Sequence, residues 1–354
     1  MRDTRFDPDE LRDVQEGQDH ALRHELISAL RHVKDLLPDP VLDVLGWVRL
    51  EGTIADPGVY TIGGLERLPA TTQTVTYTAA GVPVTDTYTG VLLVDLLADG
   101  GGVVVDPAAK NDILAHYVVA TGGDGYRAVF SLGEIDPRFG GEPIMVAYDD
   151  AAGQLGRHGE EGRARMVVPG DAAGGRYVSD LLSLEVAAGP DFVAGPGGVS
   201  SELTLGGAVA TPATFDEAAL AAHPSQTLTV TYLAGGTPVT DTYTGVLLWD
   251  LVTEAGILTD PAVKNDSLGF YVVATGSDGY RAIFSMGEID PRFGGEPVLV
   301  AYDDTLGQLD EDGTDGFARM VVPGDAAGGR YVSNLVSIEV VDIDHPPAAD
   351  PLWG

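Results

Sequence analysis

Alternating polar and apolar residues mark two similar segments of the chain. In residues 74–90, TVTYTAAGVPVTDTYTG, threonines alternate with valines and tyrosines on both sides of a glycine-containing turn. Residues 227–245, TLTVTYLAGGTPVTDTYTG, repeat this pattern. A polar and apolar period of two residues is typical of a β-strand with one buried face, and two such runs around a tight turn form a hairpin. The sequence therefore predicts two long β-hairpins.

The segments after the first hairpin are predicted as further strands and one short helix. Residues 91–100, VLLVDLLADG, have the leucine spacing of a short helix that ends at glycine. Residues 116–132, HYVVATGGDGYRAVFSL, are predicted as strand, tight turn and strand. Three more strands are predicted in EPIMVAYDD, RARMVVPG and RYVSDLLSLEV, at residues 142–150, 163–170 and 176–186. A unit that is mostly β with one or two short helices belongs to the α+β class.

This unit occurs twice in the chain. Residues 120–143 and 274–297 are identical at 21 of 24 positions, and MVVPGDAAGGRYVS occurs at residues 166–179 and again at 320–333. The offset of 154 or 155 residues is the length of a domain and far exceeds that of a solenoid repeat. The sequence therefore predicts two tandem, mostly-β domains.

The repeat also gives the expected domain boundaries. A first domain is predicted at residues 46–187 and a second at residues 198–341, joined by a linker rich in Pro and Gly at residues 188–197. Residues 1–45 are predicted as a short helical segment because apolar residues recur there at helical spacing, and residues 342–354 as an extended tail. The apolar positions of the helical segment are Leu22, Leu26, Leu30, Val33 and Leu37.

The chain is strongly acidic. Asp and Glu number 54 against 20 Lys and Arg, which gives a formal charge of −34 at pH 7. Such a surface repels phosphate backbones and anionic lipid, so neither nucleic-acid binding nor membrane insertion is expected. The N-terminal residues lack the apolar core of a signal peptide, and no apolar run approaches the roughly 18 residues of a membrane span. A cytoplasmic location is therefore expected.

The residues that usually carry catalysis are scarce. The chain contains no cysteine, which excludes disulfides, thiolate metal ligands and cysteine nucleophiles. It has no Walker loop, no G-x-S-x-G elbow and no H-E-x-x-H motif. His20 with His24, and Asp310 with Asp312 and Asp315, have spacings that metal sites use, but neither group is a complete ligand set. No catalytic residue and no metal site are therefore assigned.

Each copy of MVVPGDAAGGRYVS contains a glycine-rich loop followed by an arginine. Glycines allow backbone N–H groups to point into one concavity, and an arginine can give two hydrogen bonds to an oxyanion. A second arginine and a tyrosine follow the D-G turn of each domain, where the tyrosine can stack on a planar ligand. The predicted ligand-binding residues are Tyr126, Arg127, Gly174, Gly175 and Arg176 in the first domain and Tyr280, Arg281, Gly328, Gly329 and Arg330 in the second.

The same arginines have a second interpretation. Asp171 precedes Arg176 by five residues, and Asp325 precedes Arg330 by the same number, so each pair can form an internal salt bridge. The sequence leaves both interpretations open, since an anion pocket and a structural ion pair use the same residue types.

Four segments of the first domain, in order, resemble the molybdopterin-binding domain of the sulfite oxidase family: TYTGVLLVDLL, VVATGGDGYRAVFSLGEIDP, PIMVAYDDAAGQL and RMVVPGDAAGGRYVSDLLSLEV. The likeness covers about 140 residues of each domain and is closest to small stand-alone members, which commonly lack the family's cysteine. It implies the sulfite oxidase fold and a pterin phosphate near Arg176 and Arg330. In catalytic members a cysteine thiolate binds molybdenum, and this chain cannot supply it. Ser179 and Asp180 in the first domain, and Ser333 and Asn334 in the second, also stand where the resemblance implies a lysine.

These observations lead to a functional expectation. We expect a non-catalytic tandem protein that binds a small anionic ligand or a protein partner and needs no cofactor. One alternative is a molybdopterin-dependent oxidoreductase whose metal is held without a thiolate. The other alternative is a structural subunit that serves as a scaffold within an assembly.

Overall fold

The computed structural model describes residues 47–156, 163–190, 193–305, 309 and 316–345. The predicted helical segment of residues 1–45 lies outside the described residues. So do both groups with metal-like spacing, which are His20, His24, Asp310, Asp312 and Asp315, and the tail beyond His345.

The first copy of the repeat is built mainly from strands. Its strands are β1 (Val48–Gly52), β2 (Gly58–Tyr60), β3 (Ala70–Ala79), β4 (Val82–Leu92), β5 (His116–Gly122), β6 (Arg127–Ser131), β7 (Met145–Asp150), β8 (Gly153–Gln154), β9 (Arg165–Val167) and β10 (Leu181–Ala188). Its short helices are α1 (Ile62–Leu65), α2 (Leu93–Asp99) and α3 (Leu132–Ile135). Two further 3-10 helices cover Asp112–Ala115 and Gly174–Arg176.

The second copy repeats this order, except that its described residues contain no counterpart of β8. Its strands are β11 (Leu203–Gly207), β12 (Ala213–Phe215), β13 (Gln226–Ala234), β14 (Thr237–Leu247), β15 (Phe270–Gly276), β16 (Arg281–Ser285), β17 (Leu299–Asp303), β18 (Arg319–Val321) and β19 (Leu335–Asp342). Its helices are α4 (Glu217–Ala221), α5 (Leu248–Ala255) and α6 (Met286–Ile289), with 3-10 helices at Asp266–Gly269 and Gly328–Arg330. The predicted mostly-β fold with few short helices is confirmed.

Each copy contains two sheets with matching strand orders. In the first copy one sheet runs β2-β1-β10-β5-β6, and the other runs β3-β4-β7-β8 with β9 also paired to β7. In the second copy the orders are β12-β11-β19-β15-β16 and β13-β14-β17-β18. The first and last strands of each copy, β1 with β10 and β11 with β19, pair in parallel. The two ends of each copy are therefore joined within one sheet.

The predicted hairpins are confirmed as β3–β4 and β13–β14. The connecting residues Ala80 and Gly81 have φ angles of 48° and 80°, as a two-residue turn that follows the strand twist requires. Cross-strand threonine pairs cover the outer face, with Thr74 and Thr87 hydroxyls 2.8 Å apart, while Tyr77 on the inner face is buried. The alternation of side chains thus places the threonine hydroxyls on one face of the hairpin and the apolar side chains on the face that packs on the core.

One predicted strand begins later than the sequence pattern indicated. The segment RYVSDLLSLEV was expected to be extended from Arg176, but Gly174–Arg176 forms a 3-10 helix and β10 begins only at Leu181. Asp180 has a φ angle of 50°, which interrupts an extended backbone just before the strand. Asn334 has the same angle at the equivalent point of the second copy.

The hydrophobic side chains form one main core in each copy, and the two copies exchange residues. Phe139 of the first copy belongs to the core of the second, and Phe293 of the second belongs to the core of the first. A smaller cluster lies where the copies meet, with the rings of Tyr117 and Tyr271 4.5 Å apart. The two copies therefore share a packed interface. No helix in the described ranges is both long enough and apolar enough to cross a membrane.

Candidate functional site between the two copies

The contacts between the copies are reciprocal. The Ala172 amide donates to the Phe293 carbonyl at 2.9 Å, and the Ala326 amide donates to the Phe139 carbonyl at the same distance. In a two-fold interface, each contact from the first partner to the second is matched by the same contact from the second partner to the first. An approximate two-fold axis therefore relates the two halves of this single chain.

The glycine-rich loops are part of this interface. A Cβ atom at Gly329 would lie 2.2 Å from Cε1 of Phe139, and a Cβ at Gly175 would lie 2.2 Å from Cε1 of Phe293. Glycine is required at both positions because the opposite copy's phenylalanine ring packs directly on the backbone. Gly174 is covered from its own copy, since a Cβ there would lie 2.8 Å from Tyr77.

Arg176 is buried in an ion-pair cluster of the first copy. Its Nε and Nη2 atoms donate to the two carboxylate oxygens of Asp171 at 2.9 and 2.5 Å, and its Nη1 donates to Glu134. The side chain of Arg176 is only 3% exposed. Of the two interpretations of this residue, the structural ion pair with Asp171 is the one observed.

Arg330 makes the equivalent contacts in the second copy. Its Nε and Nη2 atoms bind Asp325 at 2.9 and 2.5 Å, and its Nη1 donates to Glu288. The two clusters are joined across the axis, because the Ser131 hydroxyl donates to Glu288 at 3.1 Å and the Ser285 hydroxyl donates to Glu134 at 3.3 Å. The arginines and their carboxylates thus form one buried network that spans both copies.

A small cavity of about 120 Å³ lies on this network and is called the axis cavity here. Its lining contains six carboxyl groups and two guanidinium groups. The charged residues that line it are Glu134, Glu142, Asp171, Arg176, Glu288, Glu296, Asp325 and Arg330. An excess of carboxylates makes a cavity unfavourable for an anion, so Arg176 and Arg330 do not create an anion pocket there.

The crowding of carboxyl groups has a consequence for protonation. Burial raises the pKa of Glu134 to about 8, with Arg176 opposing and Glu288 adding to the shift. Burial also raises the pKa of Glu296 to about 7, and the neighbouring Glu288 adds to that effect. Near neutral pH the native protein therefore holds protons here that the unfolded chain releases.

The free energy of unfolding is expected to fall as the pH rises from about 4.5, the ordinary value of Glu134, to about 8. Over that range the native state binds more protons than the unfolded state. The stability linked to protonated Glu134 is therefore lost as the pH rises to its native pKa. The loss should amount to a few kcal/mol, since each unit of pKa difference corresponds to about 1.4 kcal/mol. Urea unfolding from pH 5 to 8, in roughly 1 M salt to screen the surface charge, measures it. Glu134→Gln should flatten this slope, and an unchanged slope would contradict the assignment.

A larger cavity of about 450 Å³ lies between the copies and is called the inter-copy pocket here. The first copy contributes the loop that contains Lys110, Asn111 and Asp112, and the second contributes Tyr280 and Arg281. Its remaining lining residues are Ala108, Ala109, Ala115, Gly198, Ser277, Asp278, Gly328, Tyr331, Ser333 and Asn334. The pocket depends on the association of both copies, because neither provides all of its walls.

Tyr280 is held in place by both copies. Its hydroxyl donates to the Gly329 carbonyl at 2.6 Å and accepts a hydrogen bond from Asn111 Nδ2 at 2.9 Å. The ammonium group of Lys110 lies 5.5 Å from the centre of the tyrosine ring, within the range of a cation–π contact. Burial raises the pKa of Tyr280, so its phenol remains a neutral hydrogen-bond donor. The pocket thus contains a fixed aromatic ring beside an ammonium group.

The structure divides the predicted ligand-binding residues between different places. Tyr280, Arg281 and Gly328 line the inter-copy pocket. Arg330, which was expected to act with Arg281, lies in the axis cavity with Arg176 instead. The equivalent residues Tyr126, Arg127 and Gly174 occupy the related position of the first copy, where Arg127 forms an ion pair with Asp344. The remaining two, Gly175 and Gly329, are covered by phenylalanine rings.

Sequence reasoning missed the contribution of the opposite copy. Lys110 and Asn111 come from the loop before β5 of the first copy. Asn111 lies 169 residues before its partner Tyr280 in the sequence. A signal was present, because Lys110 and Lys264 occupy matching positions in a chain that has few cations. Lys264 accordingly lies 5.7 Å from the ring of Tyr126.

The two glycine-rich loops do not fit a molybdopterin phosphate. The guanidinium groups of Arg176 and Arg330 are occupied by buried carboxylates, and the opposite copy's phenylalanines cover Gly175 and Gly329. An added phosphate would have to displace a carboxylate from each arginine and a ring from each loop.

Comparisons with known proteins find similarity to solved structures alone. No family model matches the chain, and no curated protein matches it. Among solved structures, the sulfane dehydrogenase SoxCD from Paracoccus pantotrophus is similar, with a TM-score of 0.32 and 17% sequence identity. The match covers 86% of this chain and 78% of that one. The chain is thus distantly similar in structure to that dehydrogenase.

Proposed function

We propose that the chain is a binding protein that takes a small anion with a flat apolar group in the inter-copy pocket. The observation that carries the proposal is the convergence of Lys110 from one copy with Tyr280 and Arg281 from the other. This occurs in a chain where acidic residues outnumber basic ones 54 to 20. Two cations gathered with an aromatic ring from two separate domains favour a ligand that is negative at one end and flat at the other.

The size of the pocket supports this proposal. Its volume of about 450 Å³ lies within the roughly 300–1,000 Å³ typical of small-molecule sites. Binding sites also occur preferentially between domains. A ligand of one aromatic ring and one acidic group is small enough for this space.

Lys110 is the cation of the pocket that is most open to an anion. Lys110 is exposed, and among the described residues no carboxylate forms a salt bridge with it. The two aspartates in the lining are engaged with backbone amides. Asp112 accepts from the Asp106 amide at 2.8 Å, and Asp278 accepts from the Tyr280 amide at 2.9 Å. The Lys110 ammonium is therefore the group that a ligand's acid would meet.

Binding rather than redox catalysis is the role that we assign. The chain has no cysteine to supply a molybdenum thiolate, and Arg176 and Arg330 are committed to carboxylates. The side chains that converge in the inter-copy pocket offer charge, hydrogen bonds and a stacking surface, which are the means of recognition.

Calorimetric titration with two matched probes tests the proposal. Benzenesulfonate carries a ring and an anion, whereas benzenesulfonamide has nearly the same shape without the charge. We expect the sulfonate to bind and the sulfonamide to bind much more weakly. Lys110→Ala should lower the sulfonate affinity about tenfold, since a hydrogen bond to a charged group contributes about 1.5–3 kcal/mol.

Lys264→Ala is the matched control, because Lys264 contacts Tyr126 as Lys110 contacts Tyr280. Lys264 does not line the inter-copy pocket, so its removal should leave the affinity of that pocket for benzenesulfonate unchanged. The proposed function is wrong if neither probe binds, if both bind equally, or if Lys110→Ala has no effect on the sulfonate.

A further inference from the structure

We propose that the apolar residues of the N-terminal segment, within residues 22–37, dock in an apolar groove on the first copy. The groove has a volume of about 170 Å³ and lies between α2, the loop after it and α3. It is called the first-copy groove here. The inference does not depend on the proposed function, because the first-copy groove and the inter-copy pocket share no lining residue.

The wall of the first-copy groove is mainly apolar. Its larger apolar side chains are those of Val94, Leu97, Val103, Ile113, Leu132 and Ile135. The charged member among the described lining residues, Asp136, is bound by Arg138 at 2.6 Å. Val104 and Val105 continue the chain from the groove and are 51% and 39% exposed. A contiguous exposed apolar surface of this kind marks an interaction site.

The second copy has larger or more polar side chains at the equivalent positions. The second residue of α2 is Val94, whereas the second residue of α5 is Trp249, which is half-buried and packs on the core of the second copy. Ile113 is matched by Ser267, whose hydroxyl accepts a hydrogen bond from Arg292 at 3.3 Å. An indole takes up space that Val94 leaves open. The groove is therefore wider and more apolar on the copy that follows the N-terminal segment.

The chain that precedes the second copy is engaged elsewhere. In the linker of residues 188–197, the Gly195 amide donates to the Asp278 carbonyl at 3.1 Å, and the Gly197 amide donates to the Ser277 carbonyl at 2.9 Å. The linker thus runs along the D-G turn of the second copy. A preceding apolar segment is available to the first copy, and the second copy has Trp249 instead.

The N-terminal segment enters the fold beside the groove. The strand β1 begins at Val48, which pairs with Tyr60. The Tyr60 hydroxyl donates to Asp99, the last residue of α2, at 2.8 Å. Ten residues, 38–47, connect Leu37 to β1, and they span up to roughly 33 Å when extended. The segment can therefore reach α2 without a change in the described fold.

The sequence of the segment suits this groove. Its apolar residues recur at intervals of three and four, which is the anchor spacing of an amphipathic helix that lies in a groove. Residues 22–37 include three basic and two acidic residues, so with neutral histidines they carry a charge of +1 in a chain of −34. The helix α2, with sequence LVDLLAD, has two acidic residues and no basic one. Charge therefore also favours contact between the segment and α2.

Distances between two spin labels test the docking, because the chain has no cysteine and an introduced pair is labelled alone. The test pair joins Ala29→Cys, between Leu26 and Val33 in the segment, to Ala98→Cys, an exposed residue of the groove. The matched control joins Ala29→Cys to Thr253→Cys, the exposed equivalent of Ala98 in α5. Pulsed electron paramagnetic resonance on the full chain should give a short, narrow distance distribution for the test pair and a longer one for the control.

Two further substitutions should release the segment. Val94→Trp places the side chain of the second copy in the groove, and Leu30→Asp places a carboxylate on the apolar face of the segment, where burial is costly. Each should shift the test pair to a longer and broader distribution. Thermal unfolding of each variant shows whether the fold is retained, and Leu30→Asp decides the result if Val94→Trp does not fold.

Three outcomes would overturn the proposal. The first is the same distance distribution for the test pair and the control pair. The second is a test pair that neither Val94→Trp nor Leu30→Asp changes. The third is a measurable distance in a chain labelled at Ala98→Cys alone, because a second chain, and not the N-terminal segment, would then cover the groove.

Discussion

Replacing Arg176 with alanine is expected to lower the free energy of unfolding by about 3–5 kcal/mol. The side chain is almost fully buried, and its removal leaves Asp171 and Glu134 without their shared cation. The Asp171 carboxylate then stays buried without a cation, which is costly because it has lost its hydration. Urea unfolding followed by circular dichroism measures the loss, and Arg330→Ala should cause a similar one by the approximate two-fold symmetry.

Arg138→Ala is the matched control for this substitution. Arg138 also pairs with an aspartate, Asp136, at 2.6 Å, but its side chain is 62% exposed. The Asp136 side chain is only 11% exposed, but it keeps the hydrogen bond from the Arg138 amide at 2.9 Å, so the control should cost clearly less than Arg176→Ala. Equal losses for Arg138→Ala and Arg176→Ala would contradict the structural role assigned to the buried arginines.

Replacing Phe139 with alanine is expected to cost about 3–5 kcal/mol and to weaken the link between the copies. The ring is only 5% exposed and packs within the core of the second copy, against Gly329. Its loss therefore opens a cavity in a core that belongs to the other half of the chain. Calorimetric unfolding measures both effects, because weaker coupling broadens or splits the transition.

Val82→Ala provides the surface control, since Val82 is 61% exposed. It should change the free energy of unfolding by no more than about 0.5 kcal/mol. Phe293→Ala should reproduce the loss seen with Phe139→Ala, because the two rings occupy equivalent positions. If Phe139→Ala unfolds like the wild type, the exchange of phenylalanines does not hold the copies together.

Much of the fold could be predicted from local patterns. The threonine alternation of β3 and β4 predicts a hairpin because side chains alternate between faces with a period of two, whatever surrounds the strands. The leucines of α2 and the glycine that follows it predict a short helix with its end at Gly100. The predicted start of β10 was wrong, because the true start depends on the backbone angle of Asp180, and no apolar pattern reveals that angle.

The candidate site could be predicted only in part. The pair of Arg176 and Asp171 is five residues apart and was visible as one of two interpretations. The choice between them depends on Glu134, 42 residues away, and on burial by the second copy. Lys110 was missed for the same reason, since it meets Tyr280 only when the copies associate. The matching positions of Lys110 and Lys264 were a signal, but the local sequence of neither copy shows which residue lies opposite across the interface.

The reciprocal interface has a consequence for how the two halves can differ. In a dimer of identical subunits every substitution appears at both symmetry-related positions, so the two sites must change together. Here one continuous chain supplies both halves, and the pair Asp180 and Asn334 shows a change made on one side alone. A covalent link between the halves thus keeps the symmetric framework while freeing each side to acquire its own charge.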